Sequence, residues 1–162
     1  QKREIEKIYL AMVYGNLEGS SGVIEHAITR NMKDRKKMAI TRIEGSGRTA
    51  VTQWKLKKAY PGLSFLALYP KTGRTHQLRV HLSYLGHPIV GDPVYGRKRL
   101  PSTGKLAPLS KEIKRVGRQA LHAWRITFTH PVSQKSLKIT APCPDDLKQL
   151  HEKIEENFVK EV

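Results

Sequence analysis

Arginine and histidine side chains are concentrated in a glycine-punctuated block at residues 71–96, a composition that core packing alone does not require. Within this block, Gly73, Arg74 and Thr75 predict a tight turn that leads into a short helix, with Thr75 as its N-cap. The free N–H groups and the positive dipole end of a helix start can hold a phosphate or a carboxylate. Because such turns precede many helices, the motif supports anion binding only together with its neighbours.

Arg79 is the most unusual residue of the predicted helix, because it lies between Leu78 and Val80 beside the apolar stripe. A guanidinium in that position is costly unless an acid or a phosphate accepts its hydrogen bonds. Residue type alone leaves a second interpretation open, in which Arg79 is a surface cation whose stem packs on apolar neighbours. The first interpretation makes Arg79 a candidate for a charged site.

Three aromatic residues and one acid have both a structural and a functional interpretation. Tyr9 lies on a predicted strand, where a tyrosine is usually a core residue, although an aromatic ring beside basic residues can also stack on an extruded base. Asp92, within a Gly-Asp-Pro sequence, is interpreted as a turn residue whose side chain caps its own backbone. Trp54 and Trp124 are interpreted as core anchors rather than RNA platforms.

The histidines and serines do not form a metal-binding or hydrolytic pattern. His76 and His81 lie five positions apart on a predicted helix and diverge, and neither a thiolate pair nor a carboxylate cluster accompanies them. Ser64 and Ser83 lack the Gly-x-Ser-x-Gly elbow of a nucleophilic serine. We therefore expect no metal site, and we interpret the histidines as structural or RNA-contacting residues.

The charge of the chain indicates a polyanionic partner. Lysine and arginine number 30 against 14 acidic residues, a formal charge of +16 that exceeds what solubility requires. Residues 30–58 are strongly basic, whereas residues 145–162 are acidic. No segment resembles an amphipathic membrane helix, and no apolar run approaches the length of about 18 residues that a membrane span needs. Nucleic acid is therefore favoured over a membrane.

A cytoplasmic location and a single domain are the simplest expectations. Cys143 is the only cysteine, which excludes an internal disulfide, and residues 1–10 do not resemble a secretory signal. A chain of 162 residues is long enough for one domain with a real core, and a second domain is not expected.

Hydrophobic periodicity predicts an α+β fold with a mixed, mostly antiparallel sheet and flanking helices and loops. The first stretch, residues 1–7, is interpreted as the stump of a helix, and residues 97–118 as an irregular, partly mobile excursion. A helix from Thr75 to Gly86 carries Leu78, Leu82 and Leu85 on one stripe. The remaining predicted elements are strands at residues 8–14, 38–43, 50–60, 63–69, 121–129 and 137–140, and a final helix that starts at Asp145 or Asp146.

Four blocks, in order along the chain, resemble the RluA-type RNA pseudouridine synthases. They are residues 7–15 (a Lys-x-Tyr-x-Ala-x-Val-x-Gly strand), 47–54, 71–96, and 118–123 together with 141–144. The resemblance implies the pseudouridine synthase catalytic-domain fold and an isomerase that converts uridine in RNA to pseudouridine without cofactor or metal. Such an enzyme must extrude the target base, because the reacting atoms are inaccessible in a base stack.

Carried onto matching positions, the resemblance implies two catalytic residues and three RNA contacts. Tyr9 would stack on the uracil and assist removal of its C5 proton. Arg79 would pair with the catalytic aspartate and keep that carboxylate ionised. Lys71, Arg74 and His76 would contact RNA or shape the site.

One expected group, the nucleophilic aspartate, has no counterpart in this chain. In the family it belongs to a His-Arg-Leu-Asp type of motif followed by Thr-Ser-Gly, ahead of the tyrosine strand. The aspartates present, Asp34, Asp92, Asp145 and Asp146, stand in other contexts. We therefore expect the chain to be the C-terminal portion of a synthase catalytic domain, inactive alone, with an exposed apolar sheet edge.

The resemblance favours large-subunit ribosomal RNA as the substrate, with transfer RNA as a possible one, and an intact enzyme that is a monomer. The main alternative is a non-catalytic RNA-binding or ribosome-assembly module that keeps the fold without the nucleophile. A ribosomal-protein-like structural component is a further alternative that the charge permits.

Overall fold

A six-stranded sheet organises residues 5–159, the part of the chain that the computed structural model describes. Its order is β2-β5-β6-β1-β7-β8, and its neighbouring strands are antiparallel. A two-stranded sheet of β3 and β4 stands beside it. The strands are β1 Glu6–Tyr14, β2 Ser21–Glu25, β3 Ala27–Arg30, β4 Met38–Thr41, β5 Val51–Tyr60, β6 Leu63–Pro70, β7 Leu121–Thr129 and β8 Ser136–Thr140.

Three α-helices and one short 3-10 helix pack around the strands. They are α1 Gln77–Tyr84, the 3-10 helix Ala107–Leu109, α2 Ser110–Val116 and α3 Asp145–Val159. The α+β class with a mostly antiparallel sheet is therefore confirmed. Within residues 5–159, no helix combines the length and the hydropathy that a bilayer crossing needs.

The β5–β6 hairpin follows directly from local sequence. Thr52 and Trp54 are buried on one face of β5, while Gln53 and Lys55 are exposed on the other, as alternation predicts. Gly62 has a φ of 78°, a conformation that glycine adopts at little cost, and it closes the predicted Pro-Gly turn.

Helix α1 begins and ends differently from the prediction. Its N-cap is His76, with φ 54° and no side-chain capping bond, so the prediction that Thr75 is the cap was wrong. Its end is as predicted, since Gly86 has a φ of 82° and donates its N–H to the Ser83 carbonyl. Leu85 is 39% exposed and does not share the buried stripe of the helix.

Residues 97–118 are more regular than the sequence analysis expected. The 3-10 helix and α2 lie within this segment, and both Leu109 and Ile113 are buried. Leu106 and Val116 pack against the same core, so the apolar residues form a helical stripe between the basic ones. The interpretation of this segment as an irregular excursion was therefore wrong for its second half.

The start of the chain was also interpreted incorrectly where the structure describes it. Residues 1–4 of the predicted helical stump lie outside the described residues, and Glu6 and Lys7 belong to β1. The final helix is as predicted, because Leu147, Leu150 and Ile154 are buried on one stripe.

A bulge in β7 changes which residues share a face of the sheet. Ile8 pairs with Arg125 and Tyr9 pairs with Ala123, which leaves Trp124 as an extra residue opposite β1. Strict alternation along the strand predicted at residues 121–129 would place His122, Trp124, Ile126 and Phe128 on one side, and the bulge breaks this alternation.

Both edge strands of the six-stranded sheet expose apolar side chains. Val23 on β2 is 60% exposed and Ile139 on β8 is 54% exposed. Apolar side chains on an unpaired edge are a surface on which a further strand or another chain can pack.

Candidate active site

Four of the predicted site residues line a single pocket of about 190 Å³, namely Tyr9, Arg74, His76 and Arg79. The start of β1, the end of β6, the turn at residues 72–74 and the first turn of α1 form its walls. Lys71 is not part of this pocket and instead lines an adjoining open groove of about 770 Å³. Lys7 lines both, so the pocket and the groove meet at the start of β1.

Gln77 fixes the turn that carries Arg74. Its side-chain oxygen accepts hydrogen bonds from the Thr72 hydroxyl at 2.8 Å and the Arg74 N–H at 3.0 Å. Its amide nitrogen donates to the Val51 carbonyl at 3.0 Å and the Thr52 hydroxyl at 3.1 Å. The Arg74 N–H is therefore occupied within the chain, and it is not one of the free donors that the turn motif predicted. Sequence reasoning missed Gln77, since a glutamine at a helix start carries no distinctive signal.

His76, at the start of helix α1, is bonded to Tyr95. Its Nδ1 lies 2.9 Å from the Tyr95 hydroxyl, which accepts the Met38 N–H at 2.8 Å and can therefore donate to the ring. Burial lowers the pKa of His76, and the nearby Arg79 cation lowers it further. His76 is thus positioned to act as a hydrogen-bonding group rather than as a charge.

Arg79 forms a bidentate ion pair with Asp92. Nε donates to Oδ2 and Nη2 donates to Oδ1, each at 2.7 Å, and the Asp92 side chain is fully buried. Oδ1 also accepts the N–H groups of Val94 and Tyr95 at 2.9 and 3.0 Å, so the predicted backbone cap is confirmed. Burial alone would raise the pKa of Asp92, but these hydrogen bonds outweigh burial and lower it.

The ion pair leaves part of the Arg79 guanidinium available. A guanidinium has five N–H donors, and Asp92 uses two of them, so about three remain on a side chain that lines the pocket. The Arg79 guanidinium also lies over the Tyr95 ring, 4.9 Å from its centre. Arg79 can therefore accept a second anionic partner without leaving Asp92.

Tyr9 belongs both to the core and to the pocket. Its half-buried ring packs against the main hydrophobic core and also lines the pocket. Within residues 5–159, no group donates to or accepts from its hydroxyl at hydrogen-bonding distance. The two interpretations of Tyr9 are thus compatible, because one side of the ring packs while the other borders open space.

No group of three or more His, Cys, Asp or Glu side chains in the described chain is arranged to hold a metal ion. The pocket instead offers one aromatic ring, three nitrogen-rich side chains and a paired carboxylate behind them. Such an arrangement can stack a planar base and hold an anion beside it.

Comparison with known proteins agrees with this geometry. The sequence profile of the RNA pseudouridylate synthase family matches residues 1–84, which include Tyr9 and Arg79. Ribosomal large subunit pseudouridine synthase D from Xanthomonas campestris is 40% identical over 158 residues, which are 98% of this chain and 46% of the relative. The protein of that name from Escherichia coli K12 is 35% identical over 98% of this chain and 47% of its own length. This chain thus spans about half the length of the curated relatives it matches.

Solved structures give the same result at the level of the fold. Human RNA pseudouridylate synthase domain containing 1 has a TM-score of 0.67 and 33% identity, covering 86% of this chain and 55% of that one. Human RNA pseudouridylate synthase domain containing 4 has a TM-score of 0.71 and 24% identity, covering 93% and 62%, and supports the fold alone. The chain therefore belongs to the RNA pseudouridylate synthase family, as an RluA-type member with that family's catalytic-domain fold.

Proposed function

We propose that the protein containing this chain isomerises uridine to pseudouridine in structured RNA, with large-subunit ribosomal RNA as the favoured substrate and transfer RNA as a possible one. The observation that carries the proposal is the convergence of Tyr9, Arg74, His76 and Arg79 on one pocket. The names of the relatives support the choice of ribosomal RNA. The intact enzyme acts as a cytoplasmic monomer and needs neither a metal nor an organic cofactor.

In this mechanism the target nucleotide is extruded from the RNA and its uracil enters the pocket. The ring of Tyr9 stacks on the uracil, and its unpaired hydroxyl assists removal of the C5 proton after the base has been rejoined through carbon. Arg79 uses its remaining donors to bind the catalytic aspartate, which keeps that carboxylate ionised and oriented. Asp92 acts as a positioning residue, because it holds the guanidinium from behind.

The nucleophilic aspartate comes from a part of the protein outside these 162 residues. Asp92 is fully buried and committed to Arg79. Asp146 pairs with Arg118 at 2.7 Å at the start of α3, beside Asp145, and Asp34 pairs with Lys37 in the β3–β4 connection. None of these carboxylates lines the pocket. The chain is therefore the C-terminal portion of a catalytic domain and is inactive by itself.

Arg74, His76 and Lys71 contact the RNA around the extruded base. Arg74 is anchored by donation from Nε to the Thr49 carbonyl at 3.1 Å, which leaves its Nη groups available to a phosphate. Lys71 in the adjoining groove extends the same basic surface beyond the pocket. The contacts of Arg74 and Lys71 are electrostatic, so they position the RNA without specifying its sequence.

Release of tritium from RNA labelled at C5 of uridine tests this function. The experiment compares the 162-residue chain with the same chain extended upstream through its native coding sequence. We expect release only by the extended protein. Release by the shorter chain would contradict the assignment of the nucleophile. RNA binding without release by the extended protein would favour a non-catalytic module, which the lack of a free carboxylate in the pocket also permits.

A further inference from the structure

A second pocket of about 220 Å³ lies directly beside the candidate active site. Lys7 and Tyr9 line both pockets, so the two pockets adjoin at these residues. The other walls of the second pocket come from β7 and from the end of β8. They are Ala123, Trp124, Arg125, Ile126, Ile139 and Ala141.

The bulge in β7 lies in the wall of this pocket. Trp124 is the extra residue of the bulge, and its carbonyl accepts the N–H of Ala141 at 2.8 Å. A bulge changes the direction of the side chains next to it. This bulge is held by the pairing of β7 with β1 and by the hydrogen bond from Ala141, the residue after β8. Trp124 and Arg125 are therefore held at the pocket by backbone hydrogen bonds.

Arg125 stacks on Trp124, and one of its guanidinium nitrogens has no acceptor within residues 5–159. Its central carbon lies 4.0 Å from the centre of the Trp124 ring. Its Nε is buried and has no hydrogen-bond partner in residues 5–159. A buried donor without an acceptor is unfavourable, so a ligand that offers an acceptor to this nitrogen would be bound favourably.

The chemistry of the walls matches an unstacked nucleotide. Ala123, Ile126 and Ile139 provide apolar surface, Lys7 and Arg125 provide positive charge, and none of the acidic residues within 5–159 lines the pocket. Bases of single-stranded RNA stack on aromatic rings and on the guanidinium plane of arginine, while lysine and arginine bind the phosphates. The pocket is also similar in volume to the candidate active site.

We propose that this second pocket binds the base of the nucleotide next to the target uridine. The base stacks on the Arg125–Trp124 pair, and Lys7, which borders both pockets, contacts the phosphate that joins the two nucleotides. The inference rests on the proposed function, because it places the target uridine on the other side of Tyr9.

The two tryptophans of the chain make the proposal testable by fluorescence. Trp54 is 7% exposed and packs against Gly22, whereas Trp124 borders the pocket. We would titrate the 162-residue chain with single-stranded pentauridylate, and with the same oligonucleotide carrying an abasic residue on either side of its central uridine. Tryptophan emission reports stacking, and anisotropy of a labelled oligonucleotide reports affinity.

We expect pentauridylate to quench the emission of the wild type and of Trp54→Phe, but not that of Trp124→Phe. We expect Trp124→Ala to bind pentauridylate about tenfold more weakly, as loss of one base stack predicts, and Trp124→Phe to retain most of the affinity. With one of the two abasic oligonucleotides, the loss of affinity caused by Trp124→Ala should disappear, because that oligonucleotide lacks the base that stacks on Trp124. Thermal unfolding of each variant establishes that it is folded.

The outcomes separate this inference from the proposed function. Binding of pentauridylate without quenching, and with equal affinity for Trp124→Ala, would overturn the inference and leave the proposed function intact. Absence of any RNA binding, by the extended protein as well as by the 162-residue chain, would overturn both. In the extended protein, shielding of Trp124 from acrylamide before RNA is added would show that a protein segment fills the pocket, and the inference would be wrong.

Discussion

The Arg79 guanidinium and the Asp92 carboxylate are joined by two parallel hydrogen bonds of 2.7 Å, one from Nε and one from Nη2. Asp92 also accepts two backbone N–H groups of its own loop, including that of Tyr95. The ring of Tyr95 in turn lies under Arg79, and its hydroxyl contacts His76. The orientation of Arg79 in the pocket therefore depends on a loop that follows helix α1 in the sequence.

Replacing Asp92 with asparagine should destabilise the chain by about 3 kcal/mol, because the substitution leaves the arginine charge without a buried partner. Urea unfolding would measure the change. Asp34→Asn is the matched control, since its pair with Lys37 is exposed and screened by solvent and should contribute far less to stability. Equal losses of stability in the two variants would show that the buried Arg79–Asp92 pair contributes no more than the exposed pair.

Arg79→Ala in the extended protein should reduce tritium release roughly 100- to 1,000-fold while weakening RNA binding only modestly, because its role is to hold a carboxylate. Arg118→Ala is the matched control, since Arg118 also makes a bidentate pair with an aspartate, Asp146, but does not line the pocket. A parallel loss of binding and turnover in Arg79→Ala would refute the assigned role.

Tyr9→Phe should retain RNA affinity, because the ring still stacks, and should lower turnover by roughly 100-fold or more if the hydroxyl transfers a proton. Single-turnover tritium release in the extended protein would measure the effect. Tyr84→Phe removes a hydroxyl that contacts Arg42 instead, and should leave the rate unchanged. Unchanged kinetics for Tyr9→Phe would exclude proton transfer by this hydroxyl.

The stability of the chain should fall as the pH drops below about 6.5, partly because of His81. This side chain is fully buried, and burial lowers its pKa, although its bond to the His26 carbonyl opposes the shift. The unfolded chain therefore binds a proton more readily than the folded chain, and stability is complete above the ordinary histidine pKa and declines below it. The slope is at most about 1.4 kcal/mol per pH unit for this group.

Urea unfolding at pH 8 and pH 5.5 would measure this dependence in the wild type and in His81→Gln. We expect a smaller loss in the variant, which has no titrating ring at that position. His76 contributes in the same direction, because its pKa is also lowered, so part of the dependence should remain. A loss of the same size in both proteins would contradict the contribution of His81.

Gly91→Ala should destabilise the chain by several kcal/mol more than Gly45→Ala. Both glycines have a φ of 73°, so both substitutions incur the left-handed strain of about 1–2 kcal/mol. A Cβ on Gly91 would collide with the Arg118 carbonyl oxygen, whereas a Cβ on Gly45 meets open space. The difference between the two variants in urea unfolding thus measures the energetic cost of the collision. Equal losses of stability would contradict the collision.

The sequence predicts the parts of this fold that have a strong local signal. The Pro-Gly hairpin before Leu63 and the apolar stripe of α3 are correct because turn chemistry and helical periodicity are visible within a few residues. The helix α2 was missed because its buried positions, Leu109 and Ile113, stand among closely spaced basic residues. Dense positive charge predicts an irregular segment, whereas the cations occupy only the exposed face of a helical one.

The parts of the site that sequence could not predict depend on contacts between distant segments. Asp92 has a sufficient local explanation as a turn cap, so nothing in the sequence indicates its second role as the partner of Arg79. The bulge at Trp124 likewise has no signature, because it arises from the register between β7 and β1. The resemblance to a family placed Tyr9 and Arg79 together, but it could not indicate the pocket on the other side of Tyr9.

The central position of β1 also determines when the pocket can form during synthesis. This strand carries Tyr9 and is translated before the other strands of residues 5–159, yet its two neighbours are β6 and β7, and β7 is the seventh of the eight strands in that range. Its backbone groups stay unpaired on one side until most of the chain has been translated, and such long-range pairing is slow. Tyr9 is therefore synthesised well before β7 can fix its position, and the nascent chain must keep an apolar strand from aggregating in the interval.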